Sequence, residues 1–100
     1  MKDYEEIFVQ NSYQSYDWNI VAVLQSGNEF AVYMDSGCSC DLPYADDWYK
    51  YLSWTRDLYE IGRQARESIR SMRGLSVGEC SEALARVNRL IGGLKRKGSK

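Results

Sequence analysis

Three cysteines are the first residues of this chain whose type and spacing could support chemistry. Cys38 and Cys40 are separated by one residue, and Cys80 follows much later. Zinc and iron–sulfur sites in proteins usually take four ligands. Three thiolates would therefore need an oxygen ligand such as Asp35 or Asp41, or a second copy of the chain that shares the site. The pattern allows a small metal-binding module, monomeric or dimeric, as one candidate function.

The same segment has a second interpretation, in which Gly37 and the small thiols permit a sharp turn. Cys80 falls on the predicted apolar stripe of a helix, where buried and inert thiols are common. A disulfide between Cys38 and Cys40 would close a very small, strained ring. The acidic residues 1–6 do not resemble a signal peptide, so we expect a reducing compartment and free thiols. No cofactor is expected on this interpretation.

Arginines and aromatic residues are interleaved in a later segment, from Trp48 to Arg73. Its arginines partly recur every seven residues, which places them on one side of a helix. Such a mixture is typical of protein interfaces and of nucleic-acid stacking surfaces. We predict a partner-binding surface formed by Trp48, Leu52, Tyr59, Arg63, Arg66 and Arg70. A sequence pI of about 5.4 argues against nucleic acid as the partner. The alternative is that these side chains pack inside or stay solvated.

Charge is divided unevenly along the chain, although the formal net charge is only −1. Residues 1–47 hold nine Asp and Glu against one Lys, whereas residues 48–100 hold twelve Lys and Arg against five Glu and Asp. The two halves could pack together and neutralise each other, or one of them could dock an oppositely charged partner. The acidic half could also imitate a phosphate array in the nucleic-acid groove of another protein.

Histidine is absent from the chain, which excludes Ser-His-Asp and Cys-His nucleophilic systems and His-containing zinc sites. Asp46 and Asp47 are neighbours at a predicted helix start, where carboxylates cap a helix rather than share a proton. We therefore expect a protein that is not an enzyme. No apolar run approaches the length of about 18 residues that a membrane-spanning helix needs, so no membrane association is expected.

The elements that would position these residues can be read from hydrophobic periodicity. The apolar run 18–25, the turn residues Ser26 to Asn28 and the run 29–34 predict a β-hairpin over about 18–34. Residues 35–44 are rich in turn formers and predict a tight loop, and a further short strand is expected at 6–10. We therefore expect a small antiparallel sheet in the N-terminal half.

Two amphipathic helices are predicted in the C-terminal half. From 46 to 73 apolar residues step by three and four, which predicts one long helix, and Gly74 is expected to end it in the αL conformation. A capping box, Ser76 to Glu79, then begins a second helix over about 77–94. A connection this short predicts an antiparallel pair.

The predicted fold class is α+β, a single domain over residues 1–100 in which the helix pair covers one face of the sheet. It comprises a β-rich acidic half (1–45), a basic helical hairpin (46–94) and a mobile basic tail (95–100).

The residues Met34 to Tyr44, MDSGCSCDLPY, resemble a family of small proteins of unknown function encoded by bacteriophages of actinobacteria. The resemblance rests on a strand that ends in DSGCSC, then two residues, a proline and an aromatic residue. This chain has Asp41 where members often have proline, and Tyr44 where they often have phenylalanine. The resemblance covers residues 18–46 and supplies no catalytic residues. It implies a phage or prophage origin and action in the host cytoplasm.

Together these features favour a non-enzymatic accessory protein of phage type that binds a host protein. Inhibition of a host defence or regulatory factor is the concrete form that we expect. The alternative is the metal-binding module that uses Cys38, Cys40 and Cys80, for which a homodimer would supply further ligands. The third candidate is a nucleic-acid-binding protein that uses the arginine-rich helix and the basic tail.

Overall fold

Three strands of equal length precede two helices in the structure, which is a computed structural model. It describes residues 3–14, 16–38, 43–44 and 48–98, without the side chains of residues 51 and 98. The elements in chain order are β1 (Glu5–Gln14), β2 (Asp17–Ser26), β3 (Glu29–Cys38), a short 3₁₀ helix (Trp48–Tyr51), α1 (Leu58–Ser71) and α2 (Val77–Gly98). The predicted α+β class is confirmed.

The sheet is antiparallel in the order β1-β2-β3, and its central strand is covered on both faces. Val21 and Val23 lie in the cluster that contains the helices, while Ile20, Ala22 and Leu24 lie in a second cluster. Because successive strand residues point to opposite faces, burial on both faces explains why β2 is a continuous apolar run. We call the two sides of the sheet the helix face and the aromatic face.

The predicted hairpin is present, but both of its strands are longer than expected. The turn consists of two residues, and Gly27 has a φ of 61°, which glycine adopts at low cost. β3 extends to Cys38, so the tight loop predicted from residue 35 is wrong for residues 35–38. Trp18 fixes this extension, because it pairs with Gly37 and its indole Nε1 donates to the carbonyl oxygen of Cys38 at 2.9 Å.

The single long helix predicted over 46–73 is also wrong. Residues 52–57 are not helical, since Thr55 pairs with Phe30 of β3 through two backbone hydrogen bonds of 2.7 and 2.9 Å. α1 begins afterwards, capped by the Asp57 carboxylate, which accepts hydrogen bonds from the amides of Tyr59 (3.0 Å) and Glu60 (3.3 Å). The caps predicted at 46 and 47 lie outside the described residues.

The second helix begins as predicted. The Ser76 amide donates to Glu79 Oε1 at 3.0 Å, and the Glu79 amide donates to Ser76 Oγ at 3.1 Å, which is a capping box. α2 continues to Gly98, so residues 95–98 are helical where a mobile tail was expected. The remaining tail residues, 99–100, lie outside the described part of the chain.

The two helices pack as an antiparallel pair on the helix face. A Cβ atom at Gly62 would lie 3.5 Å from Ile91, and Arg66 Nη1 donates to Asn88 Oδ1 at 3.1 Å. Contacts that advance along α1 thus step backward along α2, as expected for antiparallel helices. Buried Ile61, Ala65 and Ile69 of α1 join Val87 and other α2 residues in the same core as β2.

Candidate functional site

The six residues predicted to bind a partner do not form one surface. Trp48 and Leu52 pack on the aromatic face of the sheet, whereas Tyr59, Arg63, Arg66 and Arg70 belong to α1 on the helix face. The cause is the extended segment 52–57, which carries the chain from one face of the sheet to the other. The helical wheel that placed all six residues on one flank assumed a helix that does not exist there.

Trp48 is the centre of a closed group of aromatic rings. Its ring centroid lies 4.7 Å from Tyr44, 5.2 Å from Tyr33 and 5.4 Å from Tyr4, with the rings nearly perpendicular in each pair. Tyr33 and Tyr44 stack on each other with centroids 4.7 Å apart. These distances are those of direct ring contact. The group therefore packs Tyr44 and Trp48 against the sheet, with their rings in direct contact.

Hydrogen bonds secure the same group. The Tyr33 hydroxyl donates to Asp35 Oδ2 at 2.6 Å and accepts from the Tyr44 amide at 2.9 Å, and the Tyr44 hydroxyl donates to Glu6. Burial, with a contribution from Asp35, raises the pKa of Tyr33 to about 12. Burial and the bond to Glu6 likewise raise the pKa of Tyr44. Both phenols stay protonated near neutral pH, so they act as anchors rather than as proton acceptors or nucleophiles.

Three of the four residues on α1, Tyr59, Arg63 and Arg70, are exposed, and the charge of Arg63 is compensated by neighbouring carboxylates. Arg63 forms ion pairs with Glu60 and, at 2.9 Å, with Glu67 Oε1. The hydrogen bond from Arg63 lowers the pKa of Glu60. Arg66 is half-buried beside α2, and Arg70 is exposed. The arginine pattern is thus partly the ordinary surface pairing of a helix.

The cysteines differ in state. Cys38 is disulfide-bonded, which contradicts the expectation of free thiols, while Cys80 is a free thiol packed beside the core of the helix face. Cys40 lies outside the described residues. A sulfur in a disulfide cannot serve as a thiolate ligand. Within the described part of the chain, no group of three Cys, Asp or Glu side chains is placed to hold a metal ion.

A different surface emerges at the end of the molecule where the β1–β2 turn, the end of β3 and the α1–α2 connection meet. Large apolar side chains are exposed there to an unusual degree: Tyr13 (72%), Tyr16 (81%), Met34 (58%) and Val77 (89%). Met34 lines an open groove at this end together with Asp17, Trp18 and Asn19 of β2, other β3 residues and Ser71 to Arg73, while Tyr13, Tyr16 and Val77 lie outside the lining of that groove. We call these residues the hairpin-end surface.

Backbone contacts hold this end together. The carbonyl oxygen of Arg73 accepts from the buried Ser12 hydroxyl and, at 3.5 Å, from Asn19 Nδ2. Gly74 packs directly on the backbone of Tyr13, and Met72 lines both the groove and the adjoining pocket that includes Val77. Tyr13 and Met34 are therefore carried on paired strands, which favours recognition by a preformed surface.

Sequence reasoning missed this surface because its residues come from all three strands, both helices and the connections between them. Tyr13 and Tyr16 lie in a stretch without clear periodicity, and Met34 ends an apolar strand that was expected to be buried. The one available signal was the run of aromatic residues beside polar ones in 13–18. That signal does not tell exposed tyrosines from buried ones.

The groove is mixed in chemistry. Trp18, Met34 and Met72 supply apolar surface, while Asp17 and Arg73 supply opposite charges. Its volume is about 560 Å³. The ionisable side chains that line the groove are Asp17, Asp35 and Arg73, and Asp35 accepts the hydrogen bond from Tyr33.

Neither described helix is both long and apolar enough to cross a membrane. No curated protein and no solved structure matches the chain. One family does match, over residues 4–96, and it is described as a domain of unknown function. This match spans the sheet, the segment that crosses between its faces and both helices. The chain therefore belongs to the DUF7574 family.

Proposed function

We propose that the chain is a non-enzymatic accessory protein that binds another protein through the hairpin-end surface. One observation carries this proposal: four exposed large apolar side chains, Tyr13, Tyr16, Met34 and Val77, lie at one end of the fold, where Met34 also lines an open groove. Tyr, Met and Arg are enriched in protein interfaces, and tyrosine and arginine often dominate their binding energy. Arg73 is exposed at the same end and lines the groove.

The resemblance of residues 34–44 to actinobacteriophage proteins supports a finer form of the proposal. On this form the chain is encoded by a phage or prophage, acts in the host cytoplasm and has a host protein as its partner. Inhibition of a host defence or regulatory factor would need such a surface and no catalytic group. The absence of histidine fits a protein that acts by occupying a partner.

The test compares two exposed tyrosines, Tyr16 in the turn between β1 and β2 and Tyr59 in the first turn of α1. Wild type, Tyr16→Ala and Tyr59→Ala are used to isolate a partner from host lysate, and the dissociation constant of the purified partner is then measured for each. We expect Tyr16→Ala to weaken binding roughly tenfold or more, as at interface hot spots. Tyr59 is similarly exposed, at 68% against 81% for Tyr16, so Tyr59→Ala is the matched control and should bind like wild type.

Thermal unfolding of all three proteins provides the folding control, because both side chains are exposed and neither change should alter the melting temperature. Loss of binding in Tyr59→Ala alone would assign the contact to α1 and contradict the hairpin-end surface. Equal binding by all three proteins would contradict it as well.

A further inference from the structure

The outer edge of β3 is already used once by the chain itself. Phe30 exchanges two backbone hydrogen bonds with Thr55, so its amide and carbonyl groups point away from β2. Backbone groups alternate in direction along an antiparallel strand, and β2 pairs with β3 without a register shift. The amides and carbonyls of Val32, Met34 and Ser36 therefore point outward in the same way as those of Phe30.

Beyond the pairing with Thr55, most of these outward groups have no backbone partner. The Ser36 amide is held by its neighbour, since it donates to Asp35 Oδ1 at 2.8 Å. No backbone group in the described part of the chain bonds to the outward amides or carbonyls of Val32 and Met34. The Met34 side chain is also 58% exposed, so solvent reaches this stretch of the edge. An unpaired strand edge of this kind is a template for a further strand.

The opposite edge of the sheet, along β1, is protected. A register shift interrupts the first half of the strand. The carbonyl oxygen of Val9 then accepts from Arg86 Nη2 of α2 at 3.3 Å, and Gly74 packs on the backbone of Tyr13. Folded proteins commonly protect strand edges by bulges, charged side chains and covering segments. Among the described residues β1 has all three, whereas residues 32–34 of β3 have none.

We propose that the partner of this protein contributes an extended segment that pairs with residues 32–36 of β3 as an added strand. This inference rests on the proposed function, because it states how the hairpin-end surface receives its partner. The occupant is inferred from the edge itself, whose free groups are backbone donors and acceptors that an extended backbone matches in kind and spacing. The edge is also continuous with the hairpin-end surface, since Met34 belongs to both.

The two faces beside this edge determine which segment fits. Successive side chains of an added strand lie alternately on the helix face and on the aromatic face. On the helix face the segment would lie beside Val32 and Met34, and Met34 lines the groove together with Met72. Apolar side chains at every second position therefore suit the segment. A proline at a paired position does not, because it lacks the amide donor.

A displayed library of short random peptides is the probe, and peptides selected on the wild type are measured against two variants. Met34→Pro removes the outward amide without removing a hydrogen bond to β2, a change that edge strands tolerate. Met34→Thr is the matched control, because it shortens the same side chain and keeps the amide in a residue that suits strands. We expect the peptides to bind Met34→Pro roughly tenfold or more weakly than Met34→Thr. Equal affinities for the two variants, or a library without any peptide that binds the wild type, would overturn the proposal.

Circular dichroism checks that both variants are folded, and the wild type provides a test that depends on neither of them. N-methylation of a selected peptide, one residue at a time, removes single amide donors, and methylation at every second position should abolish binding. Peptide binding should also slow hydrogen exchange at the amides of Val32 and Met34. The amides of Ala31 and Tyr33, which bond to β2, should exchange slowly with and without peptide. A methylation scan without alternation, or unchanged exchange at Val32 and Met34, would contradict strand addition.

Two further measurements separate this inference from its alternatives. If light scattering shows a dimer of the wild type that Met34→Pro abolishes, a second copy occupies the edge and the proposal is overturned. For a partner isolated from host lysate, we expect both Tyr16→Ala and Met34→Pro to weaken binding. Weaker binding in Tyr16→Ala alone would leave the proposed function standing and overturn the added strand, whereas unchanged binding in both variants would overturn both.

Discussion

Gly74 shows how a single residue links the two layers of the molecule. Its φ of 86° lies in the left-handed region, and a Cβ atom there would lie 2.6 Å from the carbonyl oxygen of Tyr13. The sequence predicts the first property, because a glycine after an amphipathic helix is the usual αL terminator. It does not predict the second, since contact with β1 depends on how the helix pair sits on the sheet. Glycine is therefore required here for backbone conformation and for space.

Replacing Gly74 should lower the stability of the fold, whereas replacing Gly78, the next glycine in the chain, should not. We expect Gly74→Ala to lower the free energy of unfolding by at least about 1–2 kcal/mol, from the left-handed conformation alone. Gly78 lies in the first turn of α2, and a Cβ there meets nothing within 4 Å, so Gly78→Ala should raise it by about 0.5–1 kcal/mol. Urea unfolding of both variants measures the difference. Equal effects would contradict the close contact with Tyr13.

At the scale of elements, strong local patterns predicted β2, β3 and α2 correctly in kind. The continuous run of β2 and the capping box at Ser76 are local signals, and the fold satisfies both. The prediction of one long helix was wrong because Trp54 and Leu58 continue the same three-and-four spacing although they pack on opposite faces of the sheet. Periodicity records which residues are apolar, not which surface buries them. The pairing of Thr55 with Phe30 is a tertiary interaction and overrides the helical pattern.

The buried hydroxyl of Tyr33, on the aromatic face, should make the stability of the fold sensitive to alkaline pH. The folded state holds the Tyr33 proton up to a pKa of about 12, whereas an unfolded tyrosine releases it near pH 10. Between these values the folded state binds more protons than the unfolded state. The stabilisation that the Tyr33 proton contributes is therefore fully present below pH 10 and is lost as the pH rises towards 12. Urea midpoints across this range should decline, and the decline should be smaller in Tyr33→Phe.

Tyr16→Phe serves as the control for that series, because Tyr16 is exposed and lies away from the aromatic group. Its midpoints should follow the wild-type curve at every pH. A decline in Tyr33→Phe as steep as that of the wild type would show that the buried hydroxyl does not cause the alkaline loss.

At the scale of the whole molecule, β2 makes the two faces of the sheet one cooperative unit. Its alternate residues belong to both cores, so neither face can lose its packing without exposing the strand that supports the other. This arrangement also explains why the predicted interface was divided. A linear pattern cannot show that residues 48 and 59 lie on opposite sides of a shared strand. Exposure at the hairpin end is likewise a property of the assembled fold.

Two spectroscopic probes can test this cooperativity, because all three tryptophans of the chain pack on the aromatic face while both helices lie on the other. Tryptophan fluorescence thus follows one face, and far-ultraviolet circular dichroism mainly follows the helix face. We expect the two urea transitions to coincide in the wild type.

Leu24→Ala removes a fully buried side chain from the aromatic face. It should lower the free energy of unfolding by about 2–5 kcal/mol and move both midpoints together. Ile61→Ala on the helix face is the matched change and should do the same. If either variant shifted only the probe of its own face, the two cores would be independent and the central strand would not couple them.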